Sequence, residues 1–124
     1  MRVIPQVSTL AIAGAVALTV AIGSARAANP YDGSWQVTIT TTRGACDSGS
    51  GFGLQVRNGV VYGYGSFAVS GHVSPNGATS VSVSAGDQRA SGSGRLRGNS
   101  GGGSWRGSGS RGACSGSWYA TRTG

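Results

Sequence analysis

Gly33-Ser34-Trp35-Gln36-Val37-Thr38-Ile39-Thr40 decides the fold, because from Trp35 onward apolar and polar residues alternate with a period of two, as in a half-buried β-strand. The opening tripeptide recurs at Gly103-Ser104-Trp105 and at Gly116-Ser117-Trp118. The last copy starts an echo of the first strand, Trp118-Tyr119-Ala120-Thr121-Arg122-Thr123. Two similar strands near the two ends of the chain imply that the ends meet, as they do when an antiparallel sheet closes on itself. The pairing is expected to bring the termini together near the cysteine pair.

Working outward, turn residues divide the remaining chain into short runs of the same kind. Phe52, Leu54 and Val56 alternate with Gly53, Gln55 and Arg57, and after Asn58-Gly59 comes Val60-Val61-Tyr62-Gly63-Tyr64. Asn-Gly between two such runs predicts a hairpin with a type I′ turn, whose two central positions need positive φ. Phe67, Val69, Gly71 and Val73 share one face of a further strand. Ser74-Pro75-Asn76-Gly77 is a turn, and Thr79 to Ala85 returns with Val81 and Val83 on one side. Beyond Gly86-Asp87 the alternation persists from Gln88 to Arg97, but its inner residues shrink to Ala90, Gly92, Gly94 and Leu96. A short strand around Trp105 and a final one from Cys114 to Arg122 complete an all-β domain of about eight short antiparallel strands, a small barrel or sandwich. A competing reading makes Gly86 to Gly116 a Gly/Ser linker, against which stand the retained alternation, Trp105 and Cys114. Inner glycines leave gaps that large rings can cross. Trp35, Trp105 and Trp118 are therefore expected to be scaffold packed on bare backbone, filling the core rather than lining a roomy cavity.

The first residues read as a leader, not as fold. Met1-Arg2, the apolar run from Leu10 to Ile22 and Ala25-Arg26-Ala27 form a secretory signal peptide over residues 1–27, and the run is too short for a bilayer span. Residues 28–124 then form a single β domain that is periplasmic or secreted, with no stable membrane insertion. Export supplies oxidising conditions, and Cys46 and Cys114 are the only cysteines, so they are expected to pair. Closing a loop of that length stabilises the fold by about 4 kcal/mol in the chain-entropy description.

Loss of Arg2 and Arg26 leaves eight Arg against three Asp, a charge of +5, with Lys and Glu absent. Arg89, Arg95 and Arg97 lie on one side of one predicted strand, and their planar donor forks suit carboxylate, sulfate or phosphate. An anionic glycan or protein surface is the expected partner. Nucleic acid is not, since an exported protein seldom meets it. Catalysis is poorly provided for: His72, beside Asp32, Asp47 and Asp87, falls on the polar phase of its strand. Gly98-Asn99-Ser100-Gly101-Gly102 and Gly107-Ser108-Gly109-Ser110-Arg111-Gly112 match nucleophile-elbow and dinucleotide patterns, but the helix that either requires is missing. Nothing in the residues calls for a cofactor or a metal.

Two resemblances enter on these residues. Tyr31-Asp32-Gly33-Ser34-Trp35, Cys46-Asp47, Gly92-Ser93-Gly94-Arg95-Leu96 and Cys114-Ser115-Gly116-Ser117-Trp118 resemble short exported β-rich proteins of alphaproteobacteria, some labelled haem-utilisation or adhesion exoproteins. More loosely, Gly33-Ser34-Trp35 on the first strand with Arg122 on the last is similar to the calycin pattern of lipocalins and avidins. That likeness implies a barrel in which the Trp packs under the Arg. Together these readings favour a non-enzymatic exported protein that binds an envelope glycan or protein through its surface, or inhibits such a partner. The alternative is a calycin-like carrier of a small apolar ligand or haem.

Overall fold

The computed structural model describes residues 29–65 and 67–124, so the expected leader lies outside the described residues. Eight antiparallel strands follow one another around a closed barrel: β1 (Gly33–Arg43), β2 (Gly49–Arg57), β3 (Val60–Gly63), β4 (Ala68–Val73), β5 (Ala78–Ala85), β6 (Gln88–Arg97), β7 (Ser100–Gly109) and β8 (Gly112–Arg122). Each pairs with its neighbours in sequence, and β8 returns to β1 with Trp35 opposite Arg122 and Ile39 opposite Trp118. Closure removes the free edges that an open sheet of this size would expose. Between the two architectures that the strand pattern allowed, the barrel is the one formed.

Local chemistry sets the turns. Asn58 (φ 53°) and Gly59 (φ 78°) both adopt the positive φ that the Asn-Gly hairpin demands. The Asp32 carboxylate accepts from both of their amides, at 3.0 and 3.1 Å. A second turn closes where Gly77 N donates to Ser74 O at 2.8 Å.

The strand around Trp105 is longer than expected, ten residues instead of a short segment. Apart from Trp105 its inner positions are Gly101, Gly103, Gly107 and Gly109, so no apolar period announces it. An unbroken register to β6 and β8 holds it instead. The linker reading of Gly86 to Gly116 is set aside on the same ground, because this stretch is the most regularly paired wall of the barrel.

The buried cluster sits at one end. Trp35, Val56, Val61, Val73, Leu96 and Ala120 are each 3–4% exposed and come from the strand ends nearest the Asn58-Gly59, Ser74–Gly77 and Gly98-Asn99 turns. Residues 29–32 lie across this end, where Asn29 Nδ2 donates to Val73 O at 2.8 Å. Cys46 and Cys114 are bonded, with Cα atoms 6.1 Å apart, which is compatible with an oxidising compartment. The disulfide ties the β1–β2 loop to β8 at the opposite end from the termini, where Arg43 faces Ser115. The expectation that the chain ends meet beside it is therefore corrected. A β1–β8 seam of some ten residues spans the barrel, so it separates the two features rather than joining them.

Candidate functional site: an apolar cavity at the open end

Above the buried cluster the barrel is hollow. A cavity of about 440 Å³ opens toward the end that carries the disulfide and the Gly86-Asp87 turn. This corrects the expectation of a filled core, and the reason is where the indoles go. Trp105 projects inward from β7, yet its Nε1 donates to Thr40 O on β1 at 3.2 Å. Trp118 projects from β8, and its Nε1 donates to Ser93 O on β6 at 3.1 Å. Each ring passes over one intervening strand, at Gly116 and Gly103 respectively, opposite the Trp in the register. The glycine gaps are thus roofed by rings, but the rings do not fill the axis.

The lining differs from side to side. Leu54, Val56, Val61, Val69, Val73, Val81 and Val83 supply an aliphatic wall from β2 to β5. Trp105, Trp118 and Ala90, over Gly92, supply the wall from β6 to β8. Trp35, Val37, Ile39, Leu96 and Ala120 complete the enclosure on the β1 side and toward the closed end. At the mouth stand Phe52 and Phe67, 43% and 45% exposed. Phe52 and Phe67 meet edge to face with centroids 6.4 Å apart. Their role as a rim was not read from the sequence, although both stand beside turn segments that the topology puts at one end.

Polar groups facing the cavity are satisfied by the protein itself. Thr79 Oγ1 donates to Gly77 O at 2.9 Å. Trp35 Nε1 donates to Tyr31 O at 2.9 Å, so all three indole donors end on main-chain carbonyls. A ligand with buried polar atoms would find no partner for them and would bear the full desolvation cost. The Tyr64 phenol lies over Gly53 and donates to Gln55 Oε1 at 2.7 Å, on the outer face of β2 and away from the cavity.

Arg122 organises the closed end. Its guanidinium lies 4.9 Å from the Trp35 ring centroid. It donates to Asp32 O at 2.6 Å, Pro30 O at 2.9 Å, Asn99 Oδ1 at 3.0 Å and Gly98 O at 3.1 Å. Asp32 and Asn99 could be recognised only as acid and turn residue from sequence, since the residues they meet are distant in the chain.

The outer arginines do not converge. Arg89, Arg95 and Arg97 are all exposed on the outer face of β6. Six positions of strand put Arg89 about 20 Å from Arg95. Arg95 Nη1 is held by Asn76 O at 2.9 Å. His72, opposite Val60, is exposed on β4. Among the described residues no three His, Cys, Asp or Glu side chains gather as a metal-binding group. Comparison with family models, with curated proteins and with solved structures finds no match.

Proposed function

We propose that this protein is a non-enzymatic carrier that holds a small, uncharged, apolar molecule inside its barrel. One observation carries the reading: a cavity of about 440 Å³, apolar on every side, opening through one end of an otherwise sealed barrel. That volume falls within the usual range for small-molecule sites, which pair apolar lining with few polar groups. Leaving such a space empty would cost stability, since its lining lacks packing partners. The stack of Arg122 on Trp35 supports a calycin-like description of the closed end. Because Arg89 stands far from Arg95 and Arg97, the interior takes precedence over a surface role. With the expected leader, the disulfide supports a place in the periplasm or outside the cell.

The test is native mass spectrometry of protein purified from its own host, together with titration of the stripped protein with Nile red. A retained small-molecule mass, or saturable dye binding that is abolished by the cavity-filling change Val83→Phe, is expected. An interior that is always empty and takes up no dye would overturn the carrier reading.

A further inference from the structure

The positions of Trp105 and Trp118 say more about the ligand than its polarity. Neighbouring strands stand about 4.8 Å apart, so an acceptor two strands away is about 10 Å from the strand that carries the Trp. Trp105 on β7 reaches Thr40 on β1, and Trp118 on β8 reaches Ser93 on β6; both cross that distance. An indole pointing toward the barrel axis could not do so. The two rings therefore recline along the wall in opposite directions, over strands whose inward positions are Gly94, Gly103 and Gly116. A Cβ at Gly94 would stand 2.7 Å from Trp118 Cζ2, which leaves no room for any other residue beneath that ring.

Reclined rings turn their π-faces to the cavity. Across from them, the β2–β5 wall is aliphatic, with Val69 and Val81 among its residues. The space has one broad aromatic side and one aliphatic side, and neither offers a hydrogen bond. Resting on the carrier reading above, we infer that the ligand is a flat, conjugated, uncharged molecule that stacks on Trp105 and Trp118. Its size follows from the volume: at about 30 Å³ for each molecule of liquid water, with one non-hydrogen atom apiece, the cavity encloses on the order of fifteen such atoms, and a larger molecule projects through the open mouth. Offset stacking on an aromatic face adds to simple area burial. A rigid plane also loses less conformational freedom on entering than a flexible saturated chain, whose rotors must be fixed one by one. Any hydroxyl of the ligand sits at the open mouth, where it meets water.

The experiment compares two uncharged alcohols of similar carbon count, pyrenemethanol and hexadecanol, as competitors of Nile red on the oxidised mature protein. Pyrenemethanol is expected to bind about tenfold tighter, to quench tryptophan emission, and to gain circular dichroism in its own absorption band. Trp105→Leu and Trp118→Leu are each expected to weaken pyrenemethanol by about two- to tenfold and hexadecanol by distinctly less, since Leu keeps an aliphatic contact but offers no ring to stack on. A far-ultraviolet circular dichroism spectrum and a cooperative melt like those of wild type report that each variant is folded. Trp105→Phe, which keeps a ring but lacks the donor to Thr40 O, provides a milder variant, expected to lie between wild type and Trp105→Leu. Equal or tighter binding of hexadecanol, or parallel loss of both probes in the variants, would overturn the planar-ligand inference while the carrier reading stands. If neither probe displaces the dye, the planar-ligand inference falls, and the carrier reading is decided by the dye titration and the native mass alone.

Discussion

Arg122 and Trp35, cross-strand partners at the start of β1 and the end of β8, form a cation–π stack with the guanidinium 4.9 Å from the ring centroid. The same guanidinium donates to main-chain carbonyls on both sides, Asp32 and Pro30 before β1 and Gly98 between β6 and β7. One side chain thereby ties three separate segments over the buried cluster.

Replacing Arg122 tests that role. Arg122→Ala leaves several carbonyls with fewer donors and uncovers Trp35, and is expected to cost about 2–4 kcal/mol. For a domain of this size that lowers the melting temperature by about 10–20 °C, read by far-ultraviolet circular dichroism. Arg122→Lys is expected to recover less than half, since an ammonium cannot reproduce the planar fork. A melting temperature within 2 °C of wild type, in the approximate terms of that scaling, would remove the residue from the list of essential supports.

The disulfide contributes at the other end. Cys46 and Cys114 are separated by 68 positions, and opening that loop is expected to lower stability by about 4 kcal/mol. Guanidinium denaturation with and without reductant measures it. Because the buried cluster lies away from the bond, the reduced chain is expected to keep native-like near-ultraviolet signals from Trp35 below its shifted midpoint.

Two neighbouring glycines give a sharper comparison. A Cβ at Gly92 would meet its nearest atoms at 3.5 Å, an ordinary contact, whereas one at Gly94 would strike Gly102 O and stand 2.7 Å from Trp118 Cζ2. Gly92→Ala is expected within about 1 kcal/mol of wild type, and Gly94→Ala is expected to lose about 1–3 kcal/mol. Urea unfolding curves for the pair decide it, and equal stabilities would mean that both the β7 backbone at Gly102-Gly103 and the Trp118 ring can give way at this point.

How much of this could be seen in the residues beforehand depends on where the information resides. Alternating Trp35, Val37 and Ile39, the Asn58-Gly59 turn and the lone pair of cysteines are local signals, and each was legible. β7 was only half legible, because Gly101, Gly103, Gly107 and Gly109 carry no hydrophobic period and the strand is held by its neighbours. The cavity was not legible at all. Three Trp and many glycines imply plug and gap equally, and the choice is made by carbonyls of Thr40 and Ser93, 65 and 25 positions from their donors. Arg89, Arg95 and Arg97 were correctly seen as one face of one strand, but a face is not a cluster, and strand rise sets them apart.

The seam between β3 and β4 is the thinnest in the ring. Among the described residues its register holds one pair, Val60 opposite His72, and Val73 N donates to Gly59 O at 2.7 Å beside it. Amide hydrogen exchange is expected to be fastest from Val61 to Gly63 and at Ala68 and Val69, and slowest on β7 and β8. Addition of a cavity ligand is expected to slow this seam more than any other. Uniform protection around the barrel would contradict that ordering.

Pairing of the first strand with the last has a kinetic meaning. Arg122 meets Asp32 across 90 positions of chain, and Ser34 N donates to Gly124 O at 3.1 Å. A growing chain can form its hairpins one after another, but it cannot shut the ring until its final strand has emerged. Until then β1 keeps an unpaired edge, with nothing laid over the Trp35 ring. Assembly of this kind, governed by its most distant contact, is slow compared with the folding of local structure. Loss of a few C-terminal residues would therefore take away not one strand of eight but the closure of the whole ring.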